Sequence, residues 1–305
     1  MRLQRTHIIA LANQKGGCGK TTAALNIAAA CAAEGYRTCL VDIDQQCNAT
    51  DTFGINQDEL AKQGRFTVAD AFLAKRPATE IALEFPDRFD GLLSLIPSHR
   101  GLSSIPHRLD AELQATVAND SFSEIDSDDL KNEQRRRLRN SLKSLRGRVD
   151  FVFIDTPPEL GFLMTSGLIA SDWYIIPVFP SGYDLKGLEK LTQTVSKIRD
   201  RHNPHLQLIG VLLGRMHPRA KLDSDIQYML GEAFGTDRVF ETTIAETVRH
   251  REATVYCKTI LEHAPGEAAA DQFHSVAREL FARVRQAERG GETTTDQPKR
   301  KVANG

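Results

Sequence analysis

The stretch His7-Ile8-Ile9-Ala10-Leu11-Ala12-Asn13-Gln14-Lys15-Gly16-Gly17-Cys18-Gly19-Lys20-Thr21-Thr22 decides the reading of this chain. After His7, Ile8–Ala12 form a continuous apolar run, read as a strand from His7. A Gly-rich turn follows, and after it comes an Ala-rich helical pattern through Ala23, Leu25, Ile27 and Ala28–Ala33, ending near Gly35. A strand, a Gly-rich turn and a helix in that order form a phosphate-binding unit. Gly16, Gly17 and Gly19 let backbone N–H groups turn inward onto phosphate oxygens. The helix beginning at Lys20 adds the positive end of its dipole. Lys20 is placed to neutralise phosphate charge, and the Thr21 hydroxyl to ligate Mg²⁺. Cys18 fills the variable slot as a small residue, and Thr22 completes the cradle. The usual Gly-x-x-x-x-Gly-Lys-Ser/Thr pattern is met only loosely, so this is a variant P-loop.

Further apolar runs extend the pattern: Thr38–Asp42, Leu92–Ile96, Phe151–Asp155, Trp173–Val178 and Leu208–Leu213. They are continuous rather than alternating, as expected of strands covered on both faces. Strands interleaved with helical patterns predict an α/β fold: a doubly wound, mainly parallel sheet with helices on both faces. Asp42 and Asp155 each end such a strand, where a parallel sheet gathers its ligand-binding residues. Asp155, in Ile154-Asp155-Thr156-Pro157-Pro158, stands where a Walker-B carboxylate holds Mg²⁺.

The chain has 305 residues, enough for one large domain or two modest ones. Its 41% hydrophobic and 26% charged content is that of an ordinary globular protein. No apolar run approaches the ~20 residues of a membrane span, and the N-terminus is too polar for a signal peptide. The five cysteines are scattered, which disfavours a disulfide scaffold or a self-contained metal site. Net charge is −1, from 39 basic and 40 acidic residues, which excludes a uniformly basic nucleic-acid binder but not local patches. Charge is segregated. Residues 119–129 are acidic and read as a surface loop within a polar insertion (119–131), whereas 131–148 carry eight Lys or Arg against Glu133 alone. Leu138, Leu142 and Leu145 recur there at helical spacing, predicting an amphipathic helix with a basic face. The ordered domain is expected over 1–289, with residues 290–305 a disordered tail.

Lys15–Thr22, Asp42-Ile43-Asp44-Gln45-Gln46-Cys47-Asn48-Ala49-Thr50, Ile154–Pro158 and Gly210–Leu213 together resemble the ParA/Soj family of deviant Walker A ATPases, a branch of the ParA/MinD superfamily. The resemblance runs over residues 6–286. It implies ATP and Mg²⁺ as cofactors, a homodimer closed around ATP, and slow hydrolysis stimulated by a partner. By the resemblance, Lys15 is the signature lysine that reaches the other subunit's phosphates. Asp44 positions the attacking water, Asp42 is a supporting carboxylate behind the metal, and Asn48 contacts nucleotide or partner. The family's Asp-x-Asp-Pro-Gln-Gly has Gln45 and Cys47 here at its Pro and Gly positions. Ile-Pro-Arg-Asn reads Ile244-Ala245-Glu246-Thr247, which leaves the adenine contacts unassigned.

The resemblance also implies ATP-dependent, sequence-nonspecific DNA binding that moves a plasmid, chromosome or protein cargo through a ParB-like adaptor. It implies a cytoplasmic protein, nucleoid-associated when ATP-bound. Candidate DNA contacts are Arg219, Arg249 and Lys258, with Arg215 and Arg251 beside them. Six residues before the first strand leave no room for a helix-turn-helix, which argues against operator-specific autoregulation. A MinD-type membrane anchor is the competing reading of the C-terminal amphipathic helix with Phe273, Val276, Ala277, Leu280, Phe281 and Val284. The polar tail after it favours packing on the sheet, with no stable membrane insertion.

Overall fold

A computed structural model describes residues 5–119, 127–180, 185–216 and 221–289. Eight strands form one sheet: β1 (His7–Leu11), β2 (Thr38–Asp42), β3 (Leu83–Glu84), β4 (Leu93–Ile96), β5 (Phe151–Asp155), β6 (Trp173–Val178), β7 (Gln207–Met216) and β8 (Ile244–Ala245). Their order is β3-β4-β2-β5-β1-β6-β7-β8. Every pairing is parallel except β3 with β4 at one edge. This is the doubly wound sheet expected from the alternation of runs.

Strand residues alternate between two cores, which explains their continuous apolarity. Ile9, Leu11, Leu40, Phe151 and Phe153 face a layer built by α1 (Lys20–Ala33) and the C-terminal helix Ala268–Arg289. Ile8, Ala10, Val41, Val152 and Ile154 face the opposite layer. That layer holds the helices Ser127–Leu142, Phe162–Ala170 and Leu185–Arg201, designated α2, α3 and α4. The remaining helices needed below are α5 (Lys221–Phe234), α6 (Arg249–Val255), α7 (Ile260–His263) and α8, the C-terminal helix Ala268–Arg289. Phe273, Val276, Ala277, Leu280, Phe281 and Val284 on α8 are all buried. These side chains therefore pack on the sheet, and no helix among the described residues is long and apolar enough to cross a membrane.

The acidic segment differs from the sequence expectation. Helix α2 begins at Ser127, and Asp128 and Asp129 lie in its first turn. The positive end of a helix dipole favours carboxylates there, so the last residues of the acidic run belong to a helix. Residues 120–126 and the 290–305 tail lie outside the described residues.

Parallel register sets the site. Asp155 pairs with Leu11 on one side and Asp42 on the other. The ends of β1, β2 and β5 therefore bring the P-loop and both carboxylates to one edge of the sheet.

Candidate nucleotide site

Gly19 caps α1 in the left-handed conformation (φ 87°), with no side chain capping the helix. The first N–H groups of α1 thus have no intrahelical partner and point at an incoming anion. A Cβ at Gly19 would overlap the Phe179 ring, as would one at Gly214. Phe179 therefore fixes how close the loop comes to β7, a role with no sequence motif to announce it. Asn13 braces the loop, donating from Nδ2 to the Pro177 carbonyl (2.7 Å) and accepting at Oδ1 from Lys15 N–H (3.1 Å).

Lys20 is buried, and its Nζ donates to the Lys15 carbonyl at 3.1 Å, with Cys18 Sγ at 3.8 Å. The ammonium is held inside the loop rather than at its surface. Lys15, Gly16 and Gly17 lie exposed at the rim. Cys18 is buried, and desolvation raises its thiol above its ordinary pKa before Lys20 pulls it back. It packs as a small residue within the loop.

Asp155 is fully buried, and neither of its oxygens has a hydrogen-bond partner. Burial, then the neighbouring Asp42, push its carboxyl well above the usual range, with Thr21 and Lys20 acting in the opposite direction. A buried carboxylate without donors, beside the Thr21 hydroxyl, has the chemistry of a hard-cation ligand. Among the described residues no group of three or more His, Cys, Asp or Glu is placed to hold a metal. The fit to Mg²⁺ thus rests on Thr21 and Asp155 with oxygens from a ligand.

Asp42 differs: its lone pairs are taken. Oδ2 accepts from Thr50 N–H (2.9 Å) and Thr50 Oγ1 (2.7 Å), and Oδ1 accepts from Asp44 N–H (3.0 Å). Burial pushes the carboxyl up to about 7 in spite of these bonds. Asp42 is therefore a clamp on the Asp44–Thr50 loop. Ser98 completes the clamp, donating from Oγ to the Asp44 carbonyl (2.8 Å) and from N–H to Thr50 Oγ1 (2.9 Å). Asp44 itself is buried, with Oδ1 accepting from Gln46 N–H at 2.9 Å. Thr50 and Ser98 belong to the site's machinery, yet only Thr50 lies in a quoted motif. Cys47, at the position where the family motif it resembles has Gly, adopts φ 58°. A side chain thus occupies a left-handed turn, at a cost of about 1–2 kcal/mol.

Two cavities flank the P-loop. One of about 760 Å³ runs from Gly19 and Thr22 past Phe179 to Ile244–Val248, His250 and Val255. A second, about 220 Å³, joins Thr21, Thr22 and Asn48 to His250 and Lys258. Asn48 thus reaches the phosphate end of the site, and the Ile244–Val248 segment, unassigned from sequence, forms its far wall. Three candidate DNA-contact residues border these cavities. Arg215 and Arg251 line the larger and Lys258 the smaller. Arg215 stacks on Phe179, 4.7 Å from the ring centroid. Arg249 is exposed but tied to Glu252 (2.9 Å) and Glu267 (3.1 Å). Arg219 lies outside the described residues.

The AAA domain family matches residues 6–208. The chromosome partitioning protein ParA of Myxococcus xanthus is 32% identical over 298 residues, covering 97% of this chain and 92% of its own. The chromosome-partitioning ATPase Soj of Thermus thermophilus is 32% identical over 279 residues, covering 92% and 97% respectively. The chain belongs to the ParA/Soj family. Among solved structures, cobyrinic acid a,c-diamide synthase from Mycobacterium smegmatis, with bound ATP analogue and magnesium, superposes with TM-score 0.68. At 24% identity, over 96% of this chain and 98% of that one, it shares the fold alone. ParA/Soj membership makes this chain a P-loop ATPase of positioning type.

Proposed function

We propose that the protein binds ATP with Mg²⁺ at this edge, closes as a homodimer, and hydrolyses ATP slowly to release non-specific DNA while positioning a plasmid or chromosome cargo. The observation that carries the nucleotide reading is the donorless Asp155 carboxylate beside Thr21, under a P-loop whose helix end is uncapped. Bound Mg²⁺ supplies neutralisation of charge on the β- and γ-phosphates. Gly16, Gly17 and Gly19 present backbone N–H groups to the phosphates, and Lys20 faces them from inside the loop. Thr21 and Asp155 hold the cation, while Asp44, on its clamped loop, orients the attacking water. Lys15, at the exposed rim, is delivered to the second subunit's phosphates, a cation supplied in trans. The purine occupies the larger cavity along Ile244–Val248.

The basic residues beside this cavity support coupling between nucleotide and DNA. Arg215, Arg251 and Lys258 border the same cavities as the P-loop, so occupancy of the site and presentation of cations share one surface. Phosphate contacts of this kind need no base readout. A ParB-like adaptor then selects the cargo and stimulates hydrolysis.

The test is a pair of substitutions. Lys20→Ala abolishes ATP binding in equilibrium titration. Asp44→Ala binds ATP but does not turn it over, and normal turnover by Asp44→Ala would overturn the assignment of the water-positioning group. For DNA, duplex binding requires ATP, weakens with salt and is lost in Arg249→Glu.

A further inference from the structure

A second basic cleft lies in the other helical layer. It is a cavity of about 630 Å³ between the N-terminal half of α2 and the C-terminal half of α4, sharing no lining residue with the two cavities at the P-loop. Lys131 and Arg135 approach from α2, and Lys197, Arg201 and His202 from α4 and its end. Asp128 is the one acidic residue in the lining, and it pairs with Lys131 at 3.6 Å. Arg135, Lys197 and Arg201 make no ion pair with any described residue. Glu133 and Asp129 on α2, and Glu189 and Asp200 on α4, do not line the cleft. His202 Nδ1 is buried without a partner.

Convergent unpaired cations repel one another across a concave, partly desolvated space. His202 reports that field: burial first, then Arg135, Arg136 and Arg201, hold its imidazole below its ordinary pKa. A chain with balanced charge has ample acid to neutralise such a cluster, yet among the described residues only Asp128 lines it. Among the described residues the three cations lack a counter-anion, and guanidinium and ammonium groups around a concavity match phosphate oxygens. We propose that the α2–α4 cleft is a phosphate-binding site, separate from the P-loop, in which Arg135, Lys197 and Arg201 meet the phosphate groups of a free polyphosphate ligand or of a nucleic-acid backbone.

The test uses the full chain with its P-loop saturated by Mg-ADP. In that state inorganic tripolyphosphate is titrated calorimetrically; in separate samples, with Mg-ATP in place of Mg-ADP, a labelled 24-base-pair duplex is titrated by anisotropy over a salt series. The variants are Arg135→Ala/Lys197→Ala and, separately, Thr194→Glu, which adds a carboxylate to the cleft wall. A second tripolyphosphate site weakened about tenfold or more in both variants, with the duplex unaffected, identifies a free phosphate ligand. Duplex affinity reduced as much, with the log–log salt slope smaller by about 2 in the double variant, identifies the nucleic-acid backbone. Both effects together assign both ligands to one cleft. Unchanged binding of both probes overturns the proposal. Basal ATP hydrolysis stays at the parent rate in both variants, so failure here is distinguishable from failure of the nucleotide reading.

Discussion

Thr50 shows how a single hydroxyl can govern a reacting loop from behind. It donates to Asp42 and accepts from Ser98 N–H, both in fully buried surroundings. Thr50→Val keeps the shape and removes both bonds, leaving the Ser98 N–H unsatisfied and Asp42 Oδ2 with the Thr50 N–H alone, at a cost of about 1–3 kcal/mol. Because Asp44 rides on that loop and not on the phosphate cradle, kcat for ATP falls by about tenfold or more while KM changes little. A matched loss in KM would mean that Thr50 supports the cradle instead. Gly19 makes the complementary case. Gly19→Ala meets both a positive φ and the Phe179 ring, so nucleotide affinity falls by at least about tenfold in equilibrium titration. Asp44, Asp155 and the P-loop were readable because local motifs carry them. Ser98 and Phe179 were not, since each acts on a residue more than 50 positions away in the chain.

At the scale of elements, the long apolar strands announced themselves, whereas the region 53–91 did not. Its pieces are too short for a period to register: a helix of six residues, Gln57–Lys62, and a strand of two, Leu83–Glu84. Tertiary partners fix them instead. Arg88 crosses to α7 and meets Glu262 through Nε (2.7 Å) and Nη2, while its guanidinium lies 4.4 Å from the Phe53 ring centroid. Glu262 also closes the capping box of α7 with Thr259. Burial alone would raise the Glu262 carboxyl, but Arg88 and the Thr259 bonds outweigh it and hold the carboxyl below its ordinary pKa. A depressed folded-state pKa means stability that is present above the unfolded value, near 4.3, and lost as pH falls through the folded one. Glu262→Gln therefore lowers stability at pH 7 by about 1–2 kcal/mol, partial exposure having weakened the pair. The deficit narrows as the parent is titrated below pH 4 in thermal melts. A constant deficit across that range would show that the carboxylate's charge contributes nothing.

For the whole molecule, a net charge of −1 is a sum that hides its arrangement. Base gathers around the nucleotide cavities and in the α2–α4 cleft, which lie in opposite helical layers. Composition could not reveal this, because α2 and α4 supply one cluster while β7, α6 and the turn after α6 supply the other. Dimerisation is likewise invisible in composition, yet the position of Lys15 makes it testable. Its side chain stands at the exposed rim, while Lys20 is buried within the same loop. One loop thus carries an inward cation that can hold nucleotide in cis and an outward one that can reach a facing subunit. Removing them separates two functions. Lys20→Ala loses nucleotide binding and, with it, the dimer. Lys15→Ala binds ATP with near-parental affinity but remains monomeric by sedimentation velocity with a non-hydrolysable analogue. Its hydrolysis falls by about 10³-fold, the lower range for loss of a cation supplied in trans. Mixing Lys15→Ala with Asp44→Ala then forms dimers with one site holding both an intact Asp44 and a lysine from its neighbour. Hydrolysis recovers toward half the parental rate if the lysine acts across the interface. It stays absent if Lys15 serves only its own subunit's phosphates.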